Sequence, residues 1–220
     1  MPRALPIAVL VSGEGTTLDA LAERASAGAL PVRIVLVASD RAEAPALERA
    51  RRRGLPVVVL RARGTGAGDW SGALTRALEA SGAELVVNAG FFSILPDDWV
   101  ERWRGRAINL HPSLLPKHGG RGMYGARVHR AVLAAGDAET GATVHLVTRA
   151  IDAGPTIAQA RLRVDPGETE ESLRARLRPV EIDLLAETLR RFADGSLPLP
   201  YRAEDGSAAE RRRDGADVRR

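Results

Sequence analysis

Short, continuous apolar runs alternate with amphipathic stretches along the first half of the chain, and that alternation leaves few folds open. Residues 6–12 form the first run, closed by Gly13-Glu14-Gly15-Thr16-Thr17. An apolar run without alternation, bounded by a turn, is the pattern of a strand covered on both faces. Leu18, Leu21 and Ala22 then begin a helix, with Thr16 and Asp19 spaced as its cap. Further strands are expected at about 32–38, 56–60 and 84–89, with helices at about 43–53 and 70–81 and a glycine-rich loop at 64–68. Strand and helix in turn build an α/β fold, a mostly parallel twisted sheet with helices on both faces.

A loop at 90–96 and a short helix around 97–103 lead into a fifth strand, opened by Ala107, Ile108 and Leu110 and stopped at Pro112. Proline has no amide hydrogen and cannot continue a central strand. Asn109 and His111, two apart, therefore share one face at the carboxyl end of a strand, where open α/β sheets bind ligands. An amide and an imidazole aimed together can donate to one oxygen or pass a proton near neutral pH. A lone His-Pro at a strand end is more often a turn, so this pair needs its context.

Residues 117–125 hold four glycines in nine positions and read as a mobile loop, followed by a helix at about 126–135. Thr140–Val147 alternates as a strand, with Ala142, Val144 and Leu146 on one face and Thr143, His145 and Val147 on the other. Thr156–Val164 is its expected partner. The last strong element is a helix at about 169–194, carrying Leu173, Leu177, Leu184, Leu185, Leu189 and Phe192 at helical spacing, with a kink expected at Pro179. Glu181 interrupts that stripe. A buried carboxylate costs on the order of several kcal/mol unless paired or hydrogen-bonded. Arg178, three residues away, is the structural partner; sugar hydroxyls are the functional one.

Composition narrows the function classes. A chain of 220 residues, 45% hydrophobic, fits one domain at 1–201 with a disordered tail at 202–220, where large apolar residues are few. There is no cysteine, and the four histidines (111, 118, 129 and 145) are too scattered for a metal cluster, so no metal site is expected. Net charge is only +4, and arginines are interleaved with acids, as on solvated helix faces. Without a basic stripe or interleaved aromatics, no nucleic-acid partner is expected. The amino-terminal apolar run ends in Ser-Gly-Glu-Gly rather than a cleavage site, and no run approaches the roughly 20 residues that span a bilayer. A soluble, cytoplasmic protein that does not bind membrane is expected.

Several further residues invite chemistry. Gly13-x-Gly15 suggests a dinucleotide fingerprint, but Leu18 stands where a third glycine belongs. Asp40, ending the second strand, could mimic the ribose-binding acid of that motif. More generally, a glycine turn opening a helix presents free amides to a phosphate. Asp152 lies in the turn Asp-Ala-Gly-Pro and reads as a turn residue, unless it faces His111, where it could hold the imidazole charged or position a water. His145 reads as a hydrogen-bonded supporting residue, and His118 and His129 as surface or loop residues.

These pieces have a collective likeness. Ile108-Asn-Leu-His-Pro-Ser-Leu-Leu-Pro116, with Ser12–Leu18, Ala89–Leu95, Gly141–His145 and Asp152–Pro155 in that order, resembles the folate-dependent formyltransferase family, and within it the phosphoribosylglycinamide formyltransferases, over about residues 6–195. The resemblance implies a single-domain, Rossmann-like formyltransferase fold. It implies transfer of the formyl group of 10-formyltetrahydrofolate, a co-substrate, to the amine of glycinamide ribonucleotide. Asn109 and a protonated His111 would stabilise the tetrahedral oxyanion, with Asp152 supporting His111. The substrate phosphate is expected on Gly15, Thr16, Thr17 and Leu18, the ribose at Glu181 with Arg178 nearby, and Pro112 beside the substrate. The folate would lie between Phe92, Ser93, Ile94 and Leu95 on one side and Leu146, Val147 and Ile151 on the other.

The likeness is incomplete in places. Thr17 replaces a frequent asparagine and Phe92-Ser93 a frequent Met-Arg, so a folate-tail contact is expected to be missing. The loop at 118–125 is longer than in shorter relatives and could cover the ribonucleotide. An arginine expected near the start of the 70–81 helix is absent, with Arg61 or Arg63 as substitutes. The partners implied are small-molecule substrates, and a homodimer stays open. The rival readings are a methionyl-tRNA formyltransferase, which needs a further carboxyl-terminal domain; a formyltetrahydrofolate hydrolase, which needs an amino-terminal one; and a non-catalytic nucleotide-binding module.

Overall fold

The computed structural model describes residues 4–60 and 70–201, and each strand and helix expected outside the gap has a counterpart there. Arg61, Arg63, the 64–68 loop and the 202–220 tail lie outside the described residues. In chain order the elements are β1 (Leu5–Val11), α1 (Thr16–Ser26), β2 (Val32–Ser39), α2 (Pro45–Arg52), β3 (Val57–Val59), α3 (Trp70–Ser81) and β4 (Leu85–Asn88). There follow α4 (Asp97–Arg102), β5 (Ala107–His111), α5 (Ala126–Ala134), β6 (Glu139–Leu146), β7 (Thr156–Arg163) and α6 (Glu170–Ala193).

The strands form one sheet in the order β3-β2-β1-β4-β5-β6-β7. The pairs from β3 to β5 are parallel, and β6 and β7 add antiparallel at one side. All seven residues of β1 are buried. Ile7, Val9 and Val11 pack into a core with Leu18 and Leu21 of α1 and Leu185 and Leu189 of α6. Ala8 and Leu10 face the opposite core, with Leu74 and Leu78 of α3 and Trp99 and Trp103. This is the period-two alternation of a strand with a helical layer on each side. Each buried leucine or valine contributes on the order of 2 kcal/mol by leaving water. Pro179 does not end α6, which runs unbroken from a Thr169–Ser172 capping box to Ala193.

The chain winds outward through β2 and β3, then returns to lay β4 against the other side of β1. The loops leaving β1 and β4 diverge there, opening a crevice at the carboxyl ends. At the first of these loops the expected cap differs from the observed one. Gly15, not Thr16, is the N-cap of α1, and no side chain caps the helix. Asp19 instead takes Arg53, at 2.5 Å.

Gly15 has φ 72°, and a Cβ there would lie 2.5 Å from Cβ and 2.7 Å from Cα of Ala46, where α2 backs onto the turn. Gly28 has a similar φ of 71° with nothing within 4 Å. Gly28→Ala should therefore cost about 1 kcal/mol, the left-handed penalty alone. Gly15→Ala should cost about 1–3 kcal/mol more, from overpacking against a rigid helix. Urea unfolding of the two variants checks this, and equal losses would mean that α2 yields.

Candidate active site

The crevice is a cleft of about 1000 Å³, running from the β1–α1 turn past the ends of β4 and β5 to α6. That is the upper end of ordinary ligand-site volumes, with room for two small molecules side by side. It brings together Gly15, Thr16, Thr17, Phe92–Leu95, Asn109, His111, Pro112, Val147, Ile151, Asp152, Arg178 and Glu181. Leu18 and Leu146 are not in its lining; their side chains are buried in the core. Only their backbone can face a ligand.

Asn109 and His111 point to the same side of β5, with His145 and Thr143 directly across on β6. The Asn109 amide donates to His145 Nε2 at 3.0 Å, while His145 Nδ1 bonds its neighbour's carbonyl, Leu146 O, at 2.9 Å. An amide has two N–H donors, so one remains for a ligand. Asp152, brought over this face by the β6–β7 loop, stands 3.6 Å from His111 Nδ1 and 3.7 Å from His145 Nε2. These distances are too long for direct hydrogen bonds, so the carboxylate acts on both rings as a charge.

The segment after Pro112 ties this group together. His111 Nε2 bonds the carbonyl of His118 at 2.9 Å, and Asp152 accepts the Gly120 amide at 3.0 Å. His118 in turn bonds Asp137 at 2.7 Å, and Lys117 bonds the same carboxylate at 2.5 Å. A Cβ on Gly119 would lie 2.5 Å from Leu115 Cδ2 and 3.2 Å from Asp152 Cβ. Gly119 thus serves close approach to the site, while Gly120, with φ 96° and open space around it, supplies a left-handed turn. Contrary to the expected mobile loop, residues 117–120 are anchored. Its second half lines the cleft, where Tyr124 lies 5.0 Å from Phe92, with Arg127 over the Tyr124 ring.

The electrostatics follow from burial. Desolvation pushes the His111 pKa below the ordinary histidine value, and the pull of Asp152 and of the His118 carbonyl only partly offsets it. Whereas the resemblance implies a protonated His111 during the reaction, burial thus favours the neutral ring in the free protein. Its proton sits on Nε2, facing the His118 carbonyl, and Nδ1 faces Asp152. Burial by itself would raise the Asp152 carboxyl, but His145, His111 and the Gly120 amide outweigh it and hold it below the ordinary value. A proton arriving at Nδ1 would find a carboxylate beside it.

At the other end of the cleft, the first intrahelical bond of α1 runs from Asp19 N–H to Gly15 O. The amides of the preceding turn are thereby left for an anion. Arg174, Arg178 and Glu181 share one face of α6 and line the cleft. The structural alternative, an Arg178–Glu181 ion pair, does not form among the described residues. Burial raises the Glu181 pKa to about 7, with Arg178 and Arg174 opposing only at longer range.

Two further side chains correct or extend the sequence reading. His129 is buried rather than on the surface: α5 turns it inward with Val128 and Val132, a spacing that was legible. Its Nδ1 and the Oδ1 of Asn88 are buried without a partner, and both residues line the cleft. Unpaired buried polar atoms in a cleft wall are where a ligand is expected. Among the described residues no group of His, Asp or Glu is placed to hold a metal ion. No helix there is long and apolar enough to cross a membrane.

A family model described as formyl transferase matches residues 5–189. The chain is 35% identical over 194 residues to the phosphoribosylglycinamide formyltransferase of Escherichia coli (strain K12), covering 88% of this chain and 89% of that protein. It is 39% identical over 194 residues to the trifunctional purine biosynthetic protein adenosine-3 of Drosophila pseudoobscura pseudoobscura, covering 87% of this chain but only 14% of that one. Among solved structures, a phosphoribosylglycinamide formyltransferase from Coxiella burnetii superposes with a TM-score of 0.81 at 39% identity, over 89% of this chain and 90% of that chain.

The raised Glu181 pKa carries a stability prediction. The unfolded chain ionises this carboxyl near its ordinary 4.5 and the folded one near 7, so its contribution is full at acid pH and lost as pH rises between those values. Glu181→Gln should match the parent at pH 4 and exceed it by on the order of 1–3 kcal/mol at pH 8. Urea unfolding at the two pH values reads the difference, and a constant offset would mean that Glu181 is ionised throughout.

Proposed function

The chain belongs to the formyl transferase family, and on that premise we propose that it transfers the formyl group of 10-formyltetrahydrofolate to the amino group of glycinamide ribonucleotide. The products are formylglycinamide ribonucleotide and tetrahydrofolate, a step of purine synthesis. One observation carries this reading: Asn109, His111 and Asp152 meet in the middle of a cleft with an open anion-binding turn at one end and the Phe92–Leu95 loop beside it.

The ribonucleotide phosphate sits on the amides of Gly15, Thr16, Thr17 and Leu18, its ribose hydroxyls donate to Glu181 with Arg178 beside them, and Pro112 borders its amine. The folate lies against Phe92–Leu95 and the backbone of Leu146, Val147 and Ile151. The amine attacks the formyl carbon, and the free amide N–H of Asn109 donates to the oxyanion that forms. Neutral His111 takes the proton the amine must lose, and Asp152 stabilises the resulting imidazolium. The same proton then passes to the folate nitrogen as its bond to the formyl carbon breaks, so the protein ends as it began. Preorganised donors of this kind are worth on the order of a hundred- to a thousand-fold each. The roles are all filled from one chain, which is compatible with a monomer or a homodimer in the cytoplasm.

The test is to mix the protein with 10-formyltetrahydrofolate and follow its deformylation with and without glycinamide ribonucleotide. Turnover only with the amine supports the transferase; turnover without it supports a hydrolase, and none at all a binding module. His111→Ala should lower kcat by at least about a thousand-fold and Asp152→Asn by about a hundred-fold or more. Near-normal turnover in either would remove its assigned role. KM for the ribonucleotide should fall as pH rises through about 7, because ionised Glu181 is the better acceptor of ribose hydroxyls. Glu181→Gln should raise that KM and flatten its pH dependence, whereas an unchanged profile would make Glu181 structural.

A further inference from the structure

Ser93 stands in the loop that the proposed function sets against the folate, yet its hydroxyl is committed elsewhere. It donates to Asp40 Oδ2 at 2.6 Å. The other carboxylate oxygen, Oδ1, accepts from Ser12 Oγ, also at 2.6 Å. Ser12 Oγ accepts in turn from the Phe92 amide at 2.8 Å, and the Ser12 amide donates to Gly90 O at 2.8 Å. The turn that carries Asp40 is itself locked: Ser39 Oγ accepts from the Arg41 amide at 3.1 Å and donates to the Arg41 carbonyl at 3.0 Å. Residues 90, 92 and 93 are thereby tied to the ends of β1 and β2 at once.

The donors and acceptors in this group match in only one way. Each serine has one hydroxyl hydrogen, and both are aimed at the same side chain. A carboxylate, with two acceptor oxygens and no hydrogens, receives both; an amide in its place must turn N–H toward one of the hydroxyls. Both bonds are charge-assisted, the stronger class.

Resting on the function proposed above, we infer that Asp40 is the positioning residue of the formyl-donor loop, acting through Ser12 and Ser93 without touching the donor. The loop's contribution to the cleft is then made by what the brace holds out. The Phe92 ring lies 3.9 Å from where a Cβ on Gly13 would be, and Ile94 stays 53% exposed. An apolar side chain left in water at the cleft edge suits the flat ring system of a folate, and fixing the backbone beneath it removes an ordering cost from binding.

The test uses tetrahydrofolate, the expected product, so that affinity is read without turnover. Its Kd, by calorimetry, should rise about tenfold in Ser93→Ala and in Asp40→Asn, from loss of a charge-assisted hydrogen bond. The Kd for glycinamide ribonucleotide should stay within about twofold in Ser93→Ala, and Ser93→Thr, which restores a hydroxyl, should recover the parent value. The double variant should be no worse than Asp40→Asn, because both changes cut one chain of bonds. Hydrogen exchange at the Phe92 amide should quicken in Asp40→Asn, with thermal melting showing that the fold persists. Unchanged tetrahydrofolate affinity in Ser93→Ala would overturn the inference, as would equal weakening of both ligands. If the parent protein does not bind tetrahydrofolate, the proposed function itself fails and this role with it.

Discussion

With every residue of β1 buried, helices must cover both faces of the sheet, and polar groups can gather only where the strands end. The return of the chain from β3 to β4 places a topological switch beside β1, so the loops after β1, β2, β4 and β5 open around one space. Ser12, Asp40, Asn88 and His111 each stand at or just past the end of one of these strands. The antiparallel addition of β6 then supplies His145 opposite Asn109 and a loop that carries Asp152 back over the same face. The site is thus a consequence of where a double-sided core stops.

The same burial sets the chemistry. Partial desolvation shifts both His111 and Glu181 toward their neutral forms, while Asp152 keeps enough donors to stay below the ordinary carboxyl value. Titratable groups pushed in different directions within one cleft divide the labour of accepting, holding and releasing a proton. The anchored half of the glycine-rich loop is part of this division, because one of its carbonyls faces His111 and one of its amides faces Asp152. Its other half meets the donor loop through Tyr124 and Phe92, linking the two ligand ends of the cleft. The Asp40 brace works beside that contact, where hydrogen bonds join the ends of three strands.

Much of this was legible in the chain. The apolar runs and their period place the strands and helices, and Pro112 with the spacing of Asn109 and His111 places the pair at a strand's end. Glu181 stands out because it breaks a stripe of leucines, and His129 could have been found from its neighbours Val128 and Val132. Each of these signals is local and periodic, so a few residues of context suffice. The capping of α1 was misread because a left-handed glycine displaced the expected threonine by one position. The anchoring of 117–120 is not legible because a glycine that permits close approach, as Gly119 does, looks in sequence like one that permits motion.

By itself, then, the sequence determined a doubly covered, mostly parallel sheet, the residue types at its carboxyl edge, and the order of motifs that marks a formyl-transferring chain. Tertiary structure alone decided which of those residues meet. Asp40 bonds Ser93 across 53 residues, Asp152 takes the amide of Gly120 across 32, and His111 faces the carbonyl of His118. No periodicity encodes such pairs, because backbone groups are the same at every position. The side chains concerned are short, and a hydrogen bond forms only when folding has brought donor and acceptor within about 3 Å in the right direction.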